Sequence, residues 1–142
     1  MEAIMKQREI FITKFDKDRL DELIEVAETF GGHSRQDLQD LQKELERARV
    51  ISSKEVPSNV VTMNSRVLLH DTDTSEEMTY TLVFPKDADI ESGSISVLAP
   101  IGTAILGYKE GDSIEWKVPS GRRSISIKKI LYQPEAAGDF HL

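Results

Sequence analysis

Three histidines, His33, His70 and His141, are the only imidazoles in the 142-residue chain, and cysteine is absent. No histidine stands three or four residues from another, so the helical pair that often begins a zinc site is missing. Without cysteine there are no disulfides, thiolate metal sites or thiol nucleophiles. The run Gly102-Thr103-Ala104-Ile105-Leu106-Gly107-Tyr108-Lys109 has the outline of a phosphate loop. Its lysine falls one residue late, no Ser or Thr follows to hold magnesium, and its middle is apolar. Serines are plentiful, yet none sits in a G-x-S-x-G elbow. Carboxylates are many and scattered. No catalytic residue, metal site or cofactor is expected, and the chain is read as a binding protein rather than an enzyme.

One charged feature stands out. Asp16, Asp18, Asp21, Glu22, Glu25 and Glu28 stand against only Lys17 and Arg19 between residues 16 and 28. Such a run is either a solvated helix face or a surface complementary to a basic partner. The whole chain carries a net charge of −7. Proteins that grip nucleic acid through phosphates are basic, at least locally, so direct nucleic-acid binding is not expected. No apolar run approaches the ~20 residues of a membrane span, and Met1 to Arg8 lacks the apolar core of a secretory signal. The expectation is a cytoplasmic protein, and a monomer, with no membrane partner.

The elements that would carry these residues change character near residues 52–60. Before that point apolar residues recur at helical spacing; after it they alternate, with turn signals about every ten residues. Ile10, Phe11 and Ile12 form a short apolar run of extended type. Thr13 or Asp16 can cap a first helix, in which Leu20, Leu23, Ile24, Ala27 and Phe30 share a face. Gly31-Gly32 ends it. Ser34 with Asp37 signals a second N-terminus, and Leu38, Leu41, Leu45 and Ala48 form a coiled-coil seam. Two such helices joined by a short link predict an antiparallel hairpin, ~21–24 Å long for about 14–16 residues per helix.

Beyond Pro57, strands are expected over Val60–Met63, Arg66–His70, Met78–Phe84, Ser94–Val97, Ser113–Val118 and Arg123–Tyr132. Pro100 suits the first turn of a short helix that Gly107 closes. Trp116 is expected in the core. The resulting fold class is α+β, divided into a helical hairpin over 1–55 and a sheet domain over 56–142.

Val60-Val61-Thr62-Met63-Asn64-Ser65-Arg66-Val67 resembles the strand that opens the C-terminal domain of the Gre factors, bacterial transcription elongation factors. The stretch from Ile95 through Pro100, Ile101 and Gly107 is similar to that family's strand–proline–helix–glycine element. Glu110-Gly111-Asp112-Ser113-Ile114 resembles the turn behind it, and Tyr132 to Asp139 the tail of a shorter branch, the Rnk branch, named for regulation of nucleoside diphosphate kinase. The resemblance implies an FKBP-like antiparallel sheet with one short helix behind the coiled-coil hairpin. It implies RNA polymerase as partner, with the domain at the rim of the secondary channel and the hairpin directed inward. The expected contact residues are His33, Ser34, Arg35 and Asp37 at the hairpin tip, Asp37 serving equally as a helix N-terminal charge, and Pro100, Ile101 and Gly107 in the second domain, whose first reading is as determinants of the fold. In the Gre factors a long hairpin with acidic residues at its tip supports cleavage of backtracked RNA. Here the hairpin is short and the tip offers Asp37 alone, with Asp40 one turn behind. The expectation is therefore binding in competition with Gre-type factors, without cleavage. The alternatives are a cleavage-stimulating factor and a direct regulator of nucleoside diphosphate kinase.

Overall fold

The computed structural model describes residues 9–118 and 121–142, with side chains described outside 116–118. The expected burial of Trp116 lies outside those side chains. The chain opens with strand β1 (Phe11–Thr13), whose last residue caps helix α1 (Lys14–Phe30): the Thr13 hydroxyl accepts from the Asp16 amide. Thr13, not Asp16, is thus the cap. Ser34 does the same for α2 (Arg35–Arg47), accepting from the Asp37 amide at 3.3 Å. Gly31 and Gly32 carry the link at φ 75° and 89°, a region that side-chain-bearing residues rarely adopt.

The helices turn Leu20, Ile24 and Ala27 against Leu38, Leu41 and Leu45. Ala48, expected as the fourth seam position, is instead the cap residue at which the chain turns extended. It leads into β2 (Arg49–Ile51), which pairs in parallel with β1. The apolar run at 10–12 is thus a strand that returns to the far end of its own hairpin, a pairing that neither three-residue segment announces alone.

The second part is a five-stranded sheet in the order β5-β4-β3-β7-β6. Its strands are β3 (Arg66–Asp71), β4 (Glu77–Val83), β5 (Ser94–Ser96), β6 (Ser113–Val118) and β7 (Gly121–Tyr132). The pairs β3–β4, β3–β7 and β6–β7 are antiparallel. The sheet is mixed, because β5 runs parallel to β4. Two 3-10 turns, Pro85–Asp87 and Ile90–Ser92, reverse the chain between them, so β5 starts again in the direction of β4.

The expected strand over Val60–Met63 does not form. Val60, Val61 and Met63 are fully buried, but Asn64 turns left-handed at φ 67° and ends any extended run. This segment makes an isolated antiparallel bridge, Val60 to Lys109, to the distant stretch after the Pro100 helix instead of joining the sheet: Val61 N donates to Tyr108 O, and Gly107 N donates to Val61 O, each at 2.9 Å. The proline-led helix α3 (Pro100–Ile105) follows β5, and α4 (Pro134–Ala137) follows β7.

One hydrophobic cluster runs through both parts. Leu20, Ile24, Leu41 and Leu45 of the hairpin belong to it together with Val61, Met63, Leu69, Ile105, Leu106, Ile125 and Ile127. The hairpin is therefore packed on the sheet domain at its base. Among the described residues, no helix is long and apolar enough to cross a membrane.

Candidate functional site

At the hairpin tip, His33, Ser34 and Arg35 are exposed and Asp37 is half-buried. The Ser34 hydroxyl is committed to the Asp37 amide, and its carbonyl accepts from Leu38 N. The Asp37 carboxylate sits in the first turn of α2, where a negative charge complements the helix dipole. Asp40 accepts from Gln36 Nε2 at 2.8 Å. Among the described residues, no group of three or more His, Asp or Glu side chains is arranged to hold a metal ion.

The three residues of the second candidate set have three different placements. Pro100 is exposed at the first turn of α3, where its missing amide costs nothing. Ile101 is half-buried against the core. Gly107 is buried at φ 83°, and a β-carbon there would lie 2.9 Å from both Ile10 Cβ and Phe11 O. Its carbonyl accepts from Phe11 N at 3.2 Å. Gly107 thus sits in the joint between hairpin and sheet domain, while Pro100 and Ile101 offer surface. The tip and the Pro100 turn are not brought together into one site.

The joint holds a polar cluster at the root of α1. Asp16 is 1% exposed. Its Oδ2 accepts from Met63 N at 3.0 Å, and its Oδ1 from Arg19 Nη2 at 2.6 Å. The same Arg19 nitrogen donates to Leu142 O at 2.7 Å. The Arg19 guanidinium lies 3.9 Å from the centre of the Phe15 ring and 4.8 Å from that of Phe84, a cation held between two aromatic faces. Burial pushes Asp16 up to about 6; the Met63 amide and Arg19 pull it down, and Glu135 pushes it further up. Nearby, Thr62 Oγ1 donates to Glu135 Oε1, and Arg47 Nη2 to the Tyr108 hydroxyl at 2.8 Å, tying α2 to the sheet domain.

These joint residues escaped the sequence reading, which grouped Asp16 with the solvated acids of α1. The signal was present: Asp16 stands four residues before Leu20 and eight before Ile24, on the stripe that goes inside. Arg19 and Phe84 left no comparable signal, because their meeting depends on how the hairpin sits against the turn after β4.

The family model described as transcription elongation factor, GreA/GreB, C-term matches residues 56–132, and the one described as Rnk N-terminus matches residues 8–51. The chain is similar to the regulator of nucleoside diphosphate kinase of Escherichia coli K12, at 40% identity over 139 residues that cover 97% of this chain and 100% of that one. It is also similar to transcription elongation factor GreA of Desulfotalea psychrophila, at 38% identity over 124 residues, 84% of this chain and 74% of that one. A solved prokaryotic transcription elongation factor GreA/GreB from Nitrosomonas europaea superposes with a TM-score of 0.71 at 40% identity, covering 87% of this chain and 100% of that chain.

Proposed function

From the premise that the chain belongs to the GreA/GreB transcription elongation factor family, with an Rnk-type N-terminal segment, we propose that it binds RNA polymerase at the rim of the secondary channel. There it competes with longer Gre-type factors and does not stimulate cleavage. In this reading it is a cytoplasmic monomer that touches polymerase and not nucleic acid. The hairpin, residues 1–55, reaches into the channel mouth, and the sheet domain, 56–142, docks through the exposed Pro100 and the half-buried Ile101.

The observation that carries this reading is the reach of the hairpin. Helix α1 has 17 residues and α2 has 13, so the arms are ~25 Å and ~20 Å long at ~1.5 Å per residue. The match to GreA leaves about a quarter of that chain uncovered. The tip supports the same conclusion. Asp37 is its one carboxylate, Asp40 is turned to Gln36, and a lone carboxylate is a poor second-metal ligand for phosphodiester cleavage. The contacts proposed at the tip are His33, Ser34, Arg35 and Asp37.

The test uses purified components. Core polymerase should retain the protein on a pull-down, a Gre factor should displace it, and the RNA 3′ end of a backtracked complex should not shorten. Retention by nucleoside diphosphate kinase in place of polymerase would favour direct regulation of that enzyme and sink the docking reading. Shortened RNA would restore a cleavage role.

A further inference from the structure

Helix α1 carries two apolar stripes, and only one is covered. The buried stripe is Leu20, Ile24 and Ala27. At ~100° per residue, Phe15, Arg19, Leu23, Val26 and Phe30 form a second stripe beside it, facing outward. Phe15 is 38% exposed, Val26 47% and Phe30 82%. Three of the seven large hydrophobic residues exposed among those described thus lie on one face of one helix, where scattered exposure would need no explanation. The stripe forms one wall of a groove of about 670 Å³, closed on the other side by Phe84, Pro85 and Lys86 and reaching His33. The open side of the stripe is edged by Asp18, Glu22 and Glu25, all exposed. Asp18 pairs with Lys14; among the described residues Glu22 and Glu25 carry no ion pair. On the opposite edge Arg19 is matched by Asp16, while Lys86 has no ion pair among the described residues.

We propose that this groove docks an amphipathic α-helix of a partner protein, basic along the edge that meets Glu22 and Glu25. Of the stripe, Arg19, Leu23 and Val26 line the groove itself, and Phe15 and Phe30 continue the apolar face beyond it at either end, to about four helical turns in all. A helix buries such a stripe with its own apolar face, as in helix-in-groove recognition. The charges fix its orientation: basic residues lie over Glu22 and Glu25, and an acidic residue lies over Lys86. This surface adjoins the tip at His33 but not at Ser34, Arg35 or Asp37 and does not include the Pro100 turn, so it adds a contact to the proposed function, and its peptide test is read without polymerase.

The test uses the full chain and three synthetic helical peptides of about 18 residues. One carries a Leu/Phe stripe with a Lys/Arg edge, one the same stripe with a Glu edge, and one is a scramble of the first. Binding is read by fluorescence anisotropy, and its place by backbone amide shifts. The basic-edge peptide should bind roughly tenfold more tightly than the other two and move the amides of Val26, Leu23 and Phe84. The double substitution Glu22→Lys/Glu25→Lys, at exposed positions that leave the fold intact, should reverse the preference between the two edges. Val26→Asp should remove binding while the far-ultraviolet spectrum is unchanged. Equal binding of all three peptides, no binding, or shifts confined to other surfaces would overturn the proposal. So would a dimer of the chain, seen by sedimentation and abolished by Val26→Asp, which would make a second copy the occupant.

Discussion

Asp16 and Asp37 occupy the same local position in two helices of one hairpin. Each is the third helical residue, each follows a hydroxyl cap, and each gives its backbone amide to that cap, at 3.0 Å from Thr13 and 3.3 Å from Ser34. Their side chains meet opposite fates. The Asp16 carboxylate is closed off from water, fastened to Met63 N and Arg19, and pushed up to about 6. Asp37 is half-buried at the free end of the hairpin, with no sheet domain over it. The two glycines nearest these ends differ in the same way. Gly107, at the joint, has φ 83° and two atoms where a β-carbon would go; Gly31, at the tip, has φ 75° and open space. A cap motif and a left-handed turn are therefore local statements. Whether they matter to the rest of the molecule depends on what the fold packs over them.

Removing the joint altogether is the largest test of this contrast. A fragment of residues 56–142 keeps the five-stranded sheet but uncovers Val61, Met63 and Leu106, which share a cluster with the hairpin. It should still unfold cooperatively, with a melting midpoint lower by more than about 10 °C. The 1–55 fragment, with helices too short to persist alone, should be only partly helical by circular dichroism. A 56–142 fragment with no cooperative transition would make hairpin and sheet one folding unit.

Single substitutions come next. Gly107→Ala should cost about 3 kcal/mol, from a strained φ together with contacts at 2.9 Å on Ile10 and Phe11. Gly31→Ala, strained but unobstructed, should cost about 1 kcal/mol. Asp16→Ala strands the Met63 amide and the Arg19 cation, and should cost about 2–4 kcal/mol in chemical denaturation. Asp37→Ala should cost less than about 1 kcal/mol, mainly a helix-dipole effect. Equal losses at Asp16 and Asp37 would mean that the joint cluster contributes no more than the first turn of any helix.

The pH dependence sharpens the same pair. The folded chain holds the Asp16 proton more tightly than the unfolded chain does, because burial raises it from 3.8 to about 6. Its titration therefore adds stability as pH falls from above 6 to below ~4, by up to ~2–3 kcal/mol. Asp71 acts in the opposite sense. Arg123 holds it below the usual carboxylate range, so its contribution is present above ~4 and is lost as pH falls further. Urea midpoints at pH 7.5 and 5 should show the Asp16 gain in the parent chain and not in Asp16→Asn. Asp37→Asn should leave it in place. A parent chain whose stability is flat across that interval would remove the burial effect on which the contrast rests.

The smallest expected effect concerns binding. Acidic α1 and a net charge of −7 predict that affinity for a basic polymerase surface falls as ionic strength rises, by a few-fold between low and physiological salt. Affinity that does not change across that range would count against charge pairing in the docking.

Much of the architecture was legible because its causes lie within a few residues. Thr13, Ser34 and Gly31 mark helix ends through hydrogen bonds and backbone angles that close within one turn. Leu38, Leu41 and Leu45 mark the seam by spacing alone, and Pro100 marks the start of α3. The failures have non-local causes. Val60–Met63 looked like a strand because full burial produces the same apolar run whether or not a ladder forms. Asn64 and the bonds to Gly107 and Tyr108 decided against it. The β1–β2 pairing joins residues some forty apart, so the apolar run at 10–12 showed an extended segment but not its partner.

The same boundary divides the candidate sites. Residue order alone determined that the tip is Gly31 to Asp37, that its charge is sparse, and that Pro100 opens a helix, since each follows from neighbours in the chain. Only the tertiary structure decided that Gly107 holds the fold at the joint, against Ile10 and Phe11, that Asp16 is buried while Asp18 is not, and that Arg19 lies between Phe15 and Phe84. The physical reason is that capping and helix phase are short-range, whereas desolvation of a carboxylate is set by whatever segment packs over it. Here that segment contains Met63, forty-seven residues away.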